Sequence, residues 1–253
     1  MAYALLIRHA QNDWVKKKRL AGWTPGVHLN DVGREQAAQL AGRLSQLPLK
    51  AIYSSPLERC LETAAAITAI HDLEIQQIEA MGEVHYGKWQ GKKIKKLSKK
   101  PAWHIIQHYP SRFRFPEGES LVEVQKRAVS AIEELARKHK DELFAVVSHA
   151  DVIKLALAHY LGLHIDLFQR LVISPASVSL VALPESGFIR VLRVNDYGPI
   201  ETPSSPDGHK KSAHSVGDSQ AHGETAAPAQ RQSAADSSPA TPSTVSQTEE
   251  MTQ

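Results

Sequence analysis

Two short stretches of this 253-residue chain share one order of residue types: an apolar run, a polar residue, histidine, alanine. They are Leu5-Leu6-Ile7-Arg8-His9-Ala10 and Ala145-Val146-Val147-Ser148-His149-Ala150. A continuous apolar run of this length reads as a strand covered on both faces. Each histidine then falls just past the carboxyl end of a strand, where open α/β sheets bind their ligands. Imidazole works as nucleophile or proton carrier near neutral pH, and a guanidinium grips phosphate oxygens in pairs. If the two strands are neighbours, His9, His149 and Arg8 face one crevice suited to phosphoryl chemistry.

Arg59 is a further cation for that crevice. Ser55-Pro56-Leu57-Glu58 combines the pattern of a capping box with proline at the first helical position, so Arg59 is expected in the first turn of a helix reaching about Ile70. From there it can lean back toward the strand ends; a surface ion pair with Glu58 or Glu62 is the alternative.

The elements that must position these residues alternate along residues 1 to 198. Strands are expected at Tyr3 to Ile7, Ala51 to Ser54, Leu73 to Ile78 and Leu143 to Val147, with a closing hairpin from Ser177 to Leu183 and Phe188 to Val194. Helices are expected from an Asn30 or Asp31 cap through Ala37, Leu40, Ala41, Leu44 and Leu47. A second capping box, Ser120-Leu121-Val122-Glu123, opens another whose apolar face runs through Leu121, Val124, Ala128, Ile132 and Leu135, and Asp151 to Leu161 forms a largely buried one. Residues 92 to 109 read as irregular helix. This alternation predicts an α/β domain, a three-layer α/β/α sandwich around a mostly parallel sheet.

From Pro199 onward the sequence is a mixture of Ser, Thr, Pro, Ala and Gln with hardly a large apolar residue, read as a disordered tail over 199 to 253. That segment holds three Lys or Arg against seven Asp or Glu, a charge of about −4 that leaves about +7 on the rest. A basic domain draws phosphates, nucleic acid or anionic lipid, and charge alone does not choose among them. A single cysteine, Cys60, excludes an internal disulfide framework and reads as a packing residue. With no signal peptide core and no membrane-spanning run, the protein is expected to be soluble and cytoplasmic, with no membrane partner; the oligomeric state stays open. His104 and His108 have the i, i+4 spacing of helical metal ligands but no acidic or cysteine partner close in sequence, so no metal site is expected.

Six ordered blocks carry a family resemblance: Arg8-His9-Ala10-Gln11-Asn12; Leu29-Asn30-Asp31-Val32-Gly33; Ser54-Ser55-Pro56-Leu57-Glu58-Arg59; Glu83 ahead of Gly87-Lys88-Trp89-Gln90-Gly91; Phe115-Pro116-Glu117-Gly118-Glu119-Ser120; and Val147-Ser148-His149. In order and spacing they resemble the histidine phosphatase superfamily, in its phosphoglycerate mutase-like branch, over about residues 3 to 195. The resemblance implies that His9 attacks phosphorus and forms a phosphohistidine. Arg8, Asn12, Arg59 and a protonated His149 would bind the phosphoryl oxygens, and Glu83 would donate a proton to the leaving group and then activate water. It implies a small phosphorylated substrate and neither metal nor cofactor. Ala10 and Ala150 stand where the family has glycine, Asn12 where it has Thr or Ser, Val15 where asparagine is common and Ala21 where glutamine is.

Residues 88 to 116 contain nine Lys or Arg and no acid. They form either a solvated face or the cap over the site that the resemblance implies; the segment shows no nucleic-acid module, and nucleic acid is not an expected partner. The expected activity is hydrolysis of a phosphorylated metabolite. The alternatives are a phosphomutase, which commonly carries a longer insertion than the 66 positions from Glu83 to His149, and a non-catalytic binder of phosphorylated ligands.

Overall fold

The computed structural model describes residues 1–196 and Gly198; the segment 199–253, read above as a disordered tail, lies outside the described residues. In chain order the elements are β1 (Ala2–Arg8), α1 (Asp13–Lys16), α2 (Asp31–Leu44), β2 (Leu49–Ser54), α3 (Glu58–His71), β3 (Ile75–Gln77), α4 (Ile94–Leu97), α5 (Pro101–His108), α6 (Leu121–Lys138), β4 (Leu143–Ser148), α7 (Ala150–Tyr160), β5 (Val178–Leu183) and β6 (Arg190–Asp196). Six strands form one sheet in the order β3-β2-β4-β1-β5-β6. The first four are mutually parallel, and β5 and β6 close the sheet antiparallel.

Strand alternation divides the core in two. Ala4 and Leu6 of β1 with Phe144 and Val146 of β4 face one side, packed with α6 and α7. Leu5, Ile7, Ala145 and Val147 face the other, packed with α2 and α3. Both faces are covered, which gives the three-layer α/β/α sandwich. The five apolar positions read from Leu121 to Leu135 are all buried, and Ser120 and Glu123 exchange both hydrogen bonds of the capping box. Asn30 caps α2 through Gly33 N. Gly33 is needed for a second reason: a Cβ there would lie 1.9 Å from the Gln11 carbonyl oxygen, so its absence lets α2 press against the loop that follows His9.

The start of α3 differs from the sequence reading. The helix begins at Glu58 with Leu57 at the cap and no side-chain capping bond. Pro56 disfavours helical geometry at the residue before it, and Ser55 stays outside the helix, donating its N–H to Val147 O at 2.9 Å. Its hydroxyl, expected to cap the helix, is 2.8 Å from His149 Nε2. Strand β3 is shorter than expected; the irregular helix expected over residues 92 to 109 takes the form of two short helices, α4 and α5.

Candidate active site

Strands β1 and β4 are adjacent and parallel, with Arg8 opposite Ser148. His9 and His149 therefore leave the sheet side by side, their ring centroids 5.2 Å apart at 62°. Arg59, the second residue of α3, is fully buried and turns inward: its Nη2 donates to Gly22 O at 2.9 Å and lies 3.2 Å from His149 Nδ1 and 4.0 Å from Glu83 Oε2. The surface ion-pair alternative for Arg59 is excluded. Arg8 Nη1 donates to Ile173 O at 2.6 Å.

Together with Asn12, Lys18, Arg19, Tyr86 and Asp151, the residues Arg8, His9, Arg59 and Glu83 line a cavity of about 210 Å³. His149 is not on its wall. It is wholly buried against three residues of that wall, its ring centroid 5.2 Å from that of His9 and its Nδ1 3.2 Å from Arg59 Nη2 and 3.6 Å from Glu83 Oε2, with Ser55 on the other ring nitrogen.

Hydrogen-bond chemistry fixes the two tautomers. The Ala10 carbonyl, 2.7 Å from His9 Nδ1, can only accept, so Nδ1 carries the hydrogen and the Nε2 lone pair is available. A guanidinium can only donate, so His149 Nδ1 accepts from Arg59, and Nε2–H points to Ser55 Oγ. Burial first, and then the Arg59 charge, hold both histidines well below the usual imidazole range, with Arg8 adding to the effect on each. Both are neutral imidazoles in this arrangement; the protonated His149 that the resemblance implies belongs to the site with a phosphoryl group in it.

Glu83 moves the other way. Its Oε1 accepts from Val84 N at 3.0 Å. Burial, helped by the negative charge of Asp151 and opposed by Arg59, the Val84 amide and Arg8, lifts its carboxyl to about 7. A carboxyl there is half protonated at neutral pH, the condition for an acid that later serves as a base. Its backbone is pinned from two sides: Trp23 Nε1 donates to Glu83 O at 2.6 Å, and Arg127 Nη2 donates to the same oxygen at 3.0 Å. Glu119 holds Arg127 in turn, at 2.9 and 3.0 Å.

Several buried donors point to an anion. Arg59 Nε and Nη1 and Asn12 Nδ2 have no hydrogen-bond partner among the described residues, an arrangement that is costly unless a ligand accepts from them. Asn12 spends its oxygen on capping α1 through Val15 N at 2.9 Å, which leaves the amide donor for the cavity. Ala10 and Ala150 are absent from the positive-φ residues, so alanine fits where the family has glycine. Val15 and Ala21 lie on the cavity wall.

The lysine-rich segment is joined to the cavity mouth. Leu20 N bonds to Lys92 O, Gly91 N to Leu20 O and Ile94 N to Lys18 O, at 3.0, 2.7 and 2.9 Å. This pairing sets the exposed Lys92, Lys93, Lys95 and Lys96 beside the Lys16–Arg19 run, with Ile94 on the cavity wall. The segment adjoins the cavity mouth, and its lysines are exposed to solvent. His104 and His108 stack on one another at 4.1 Å, and among the described residues no group of three or more His, Cys, Asp or Glu could hold a metal ion. No helix of the described residues is long and apolar enough to cross a membrane. Cys60 is fully buried beside His149, 3.4 Å from Nε2, and burial pushes its thiol up to about 12.

Sequence reasoning missed Ser55, whose signal was spent on a helix cap. It missed Arg127 and Glu119, which show no local signature, and Tyr86. It also missed Asp151, which adjacency to His149 could have flagged.

The family model of the histidine phosphatase superfamily, branch 1, matches residues 4–197. This chain belongs to that superfamily. Phosphoserine phosphatase 1 of Hydrogenobacter thermophilus is 30% identical over 205 residues, 77% of this chain and 92% of that protein. The 2,3-bisphosphoglycerate-dependent phosphoglycerate mutase of Thermoplasma acidophilum is 27% identical, over 72% of this chain and 87% of that one. Among solved structures, YhfR of Bacillus stearothermophilus superposes with a TM-score of 0.74 at 28% identity, covering 79% of this chain and all of the other. The phosphatase activity expected from the sequence is in line with these relatives.

Proposed function

We propose that this histidine phosphatase superfamily member is a metal-independent phosphomonoesterase acting on a small phosphorylated metabolite in the cytoplasm, through a phosphohistidine on His9. One observation carries the reading. The His9 Nδ1–H is tied to Ala10 O, which leaves the Nε2 lone pair free, on a wall shared with two guanidinium groups and a carboxyl held near 7.

A phosphate monoester repels nucleophiles, so the site must neutralise the nonbridging oxygens and line up the attacking atom. Arg8, Arg59 and Asn12 Nδ2 supply the donors. A phosphoryl dianion is a stronger partner for Arg59 than a histidine nitrogen. As Arg59 turns to it, His149 Nδ1 is released to take up a proton and add its charge behind the same oxygens. His9 Nε2 attacks phosphorus, the bond to the alcohol oxygen breaks, and Glu83 gives that oxygen its proton. The Glu83 carboxylate then takes a proton from water as water attacks the phosphohistidine, which returns His9 and Glu83 to their starting states. Arginines and histidine supply the positive charge that magnesium supplies in other phosphoryl-transfer sites, so no metal is required.

The test is turnover of p-nitrophenyl phosphate by the full chain in excess chelator, with trapping of an acid-labile phosphoenzyme that His9→Asn abolishes. A chain that does neither from pH 5 to 8 is not a phosphatase of this kind. The relative named as a mutase favours one second reading, return of the phosphoryl group to another hydroxyl; product analysis with phosphoglycerates separates transfer from release.

A further inference from the structure

Glu83 is held differently from the other residues of the site. His9 and His149 follow β1 and β4 directly and Arg59 sits on α3, but Glu83 lies on an irregular stretch between 3₁₀ turns at Glu79–Met81 and Gly87–Trp89. No helix or strand fixes its backbone; side chains from other elements do. Four successive carbonyls accept from them. Ala80 O and Gly82 O take Arg127 Nη1 at 2.6 and 2.9 Å, Met81 O takes Ser148 Oγ at 2.6 Å, and Glu83 O takes Arg127 Nη2 and Trp23 Nε1 at 3.0 and 2.6 Å.

Three of those four carbonyls meet one guanidinium. Arg127 lies on α6, partly buried and off the wall of the catalytic cavity. Its Nε and Nη2 also hold Glu119 Oε1 and Oε2 at 2.9 and 3.0 Å. Glu119 is itself fastened to the same stretch, because its Oε2 accepts from His85 N and its own N–H donates to His85 O, both at 3.0 Å. The pair thus grips residues 80 to 85 at both ends. A planar fork with five donors can make this set of bonds, whereas an ammonium, one nitrogen on a flexible stem, cannot span it. The Glu119 carboxylate also takes up the guanidinium charge, which would otherwise oppose a protonated Glu83.

We propose that Arg127, aligned by Glu119, is the positioning residue of the proton donor and acts through Glu83 on the acid–base steps of the reaction. This rests on the phosphatase reading. An acid must lie within hydrogen-bond reach of the leaving oxygen, and a displacement of about 1 Å can cost about 10²-fold. An irregular stretch has no ladder of its own to hold that tolerance, and the guanidinium supplies it. The steps that use Glu83 feel its loss unequally. An alkyl alcohol leaves only with the Glu83 proton, p-nitrophenolate leaves with little help, and hydrolysis of the phosphohistidine needs the Glu83 carboxylate as base whichever ester formed it.

The experiment is Arg127→Lys in the full chain, measured on ethyl phosphate and on p-nitrophenyl phosphate. Lysine keeps the charge beside Glu119 but not the fork. The kcat/KM should fall about 10- to 100-fold on ethyl phosphate and far less on p-nitrophenyl phosphate, with a larger p-nitrophenol burst than the wild type because the phosphoenzyme now breaks down slowly. Arg127→Ala should show the same pattern more strongly. Proportional losses on the two esters overturn the proposal, since that is what general damage to the fold produces, and so does a lysine variant that matches the wild type. If the wild type turns over neither ester, the phosphatase reading fails instead, and hydrogen exchange decides whether Arg127 sets the Glu83 stretch. The amides of Val84 and His85, bonded to Glu83 Oε1 and Glu119 Oε2, should exchange about tenfold faster in Arg127→Lys while β1 and β4 stay as protected as before. Unchanged exchange at both amides, or faster exchange throughout the sheet, overturns the inference.

Discussion

His9 and His149 end neighbouring parallel strands with the same local order of residue types, yet their rings are wired oppositely. His9 gives Nδ1–H to the carbonyl of the next residue and turns a lone pair to the cavity; His149 gives Nε2–H to Ser55 and accepts at Nδ1 from Arg59, which lines the cavity. Strand and register place a histidine, but the groups around it choose its tautomer and so the chemistry open to it. In the proposed reaction one ring attacks and the other backs the clamp that holds the phosphoryl group.

The sharpest way to break this comparison is to remove each ring in turn. His9→Asn should lower kcat by about 10⁴-fold or more and abolish the phosphoenzyme, because the covalent step has no substitute. His149→Asn should cost about 10²- to 10³-fold, the scale of one missing electrostatic contact to the transition state, while a phosphoenzyme still forms slowly under rapid quench. Equal losses with no phosphoenzyme in either variant would mean that the two histidines act as one unit.

Glu83 sharpens the contrast through pH. Its carboxyl is raised to about 7 while His9 is depressed. The proton donor is therefore lost above about pH 7, and His9 stays neutral below the usual imidazole range. The kcat/KM for an alkyl phosphate should hold flat on the acid side of neutrality and fall about tenfold per unit above pH 7. Glu83→Gln should lose about 10²- to 10⁴-fold and with it the alkaline limb, but lose less on p-nitrophenyl phosphate, whose leaving group needs little protonation. Stability should move the other way. A carboxyl raised on folding binds its proton more tightly in the native state, so its contribution is present below the ordinary carboxylate range and is lost as pH rises through 7. At pH 8 Glu83→Gln should be more stable than the wild type by up to about 3 kcal/mol in urea denaturation, a gap that closes toward pH 5. An unchanged stability difference across that range would show that the native carboxyl is not raised.

Much of this arrangement was legible in the sequence. The apolar runs at Leu5 and Val146, the Ser120 capping box and the 3.6-residue spacing from Val124 to Leu135 are local signals, and each formed the element it implied. Arg59 was placed correctly within the first turn even though the helix starts three residues past the expected cap. What was not legible depends on contacts between distant segments. Nothing local shows that Arg127 and Glu119, 44 and 36 positions from Glu83, hold its backbone in place. The burial of His149 against Arg59 also emerges only when α3 is docked beneath the strand ends.

Ser55 is the smallest expected effect and the most direct probe of the wiring. Its hydroxyl lies 2.8 Å from His149 Nε2 and also takes a long bond, 3.4 Å, from Leu57 N. Ser55→Ala removes the acceptor that holds Nε2–H, and no helix cap is lost, because Leu57 and not Ser55 occupies the cap position. Loss of one buried hydrogen bond of about 1 kcal/mol should lower kcat by roughly fivefold to tenfold with little change in KM, and nitrogen NMR should show His149 sampling both tautomers. Ser55→Thr keeps the hydroxyl and should restore most of the loss. If Ser55→Ala leaves kcat and the tautomer unchanged, the Arg59 donation to Nδ1 is enough to orient the ring, and the asymmetry between the two histidines is set from the α3 side alone.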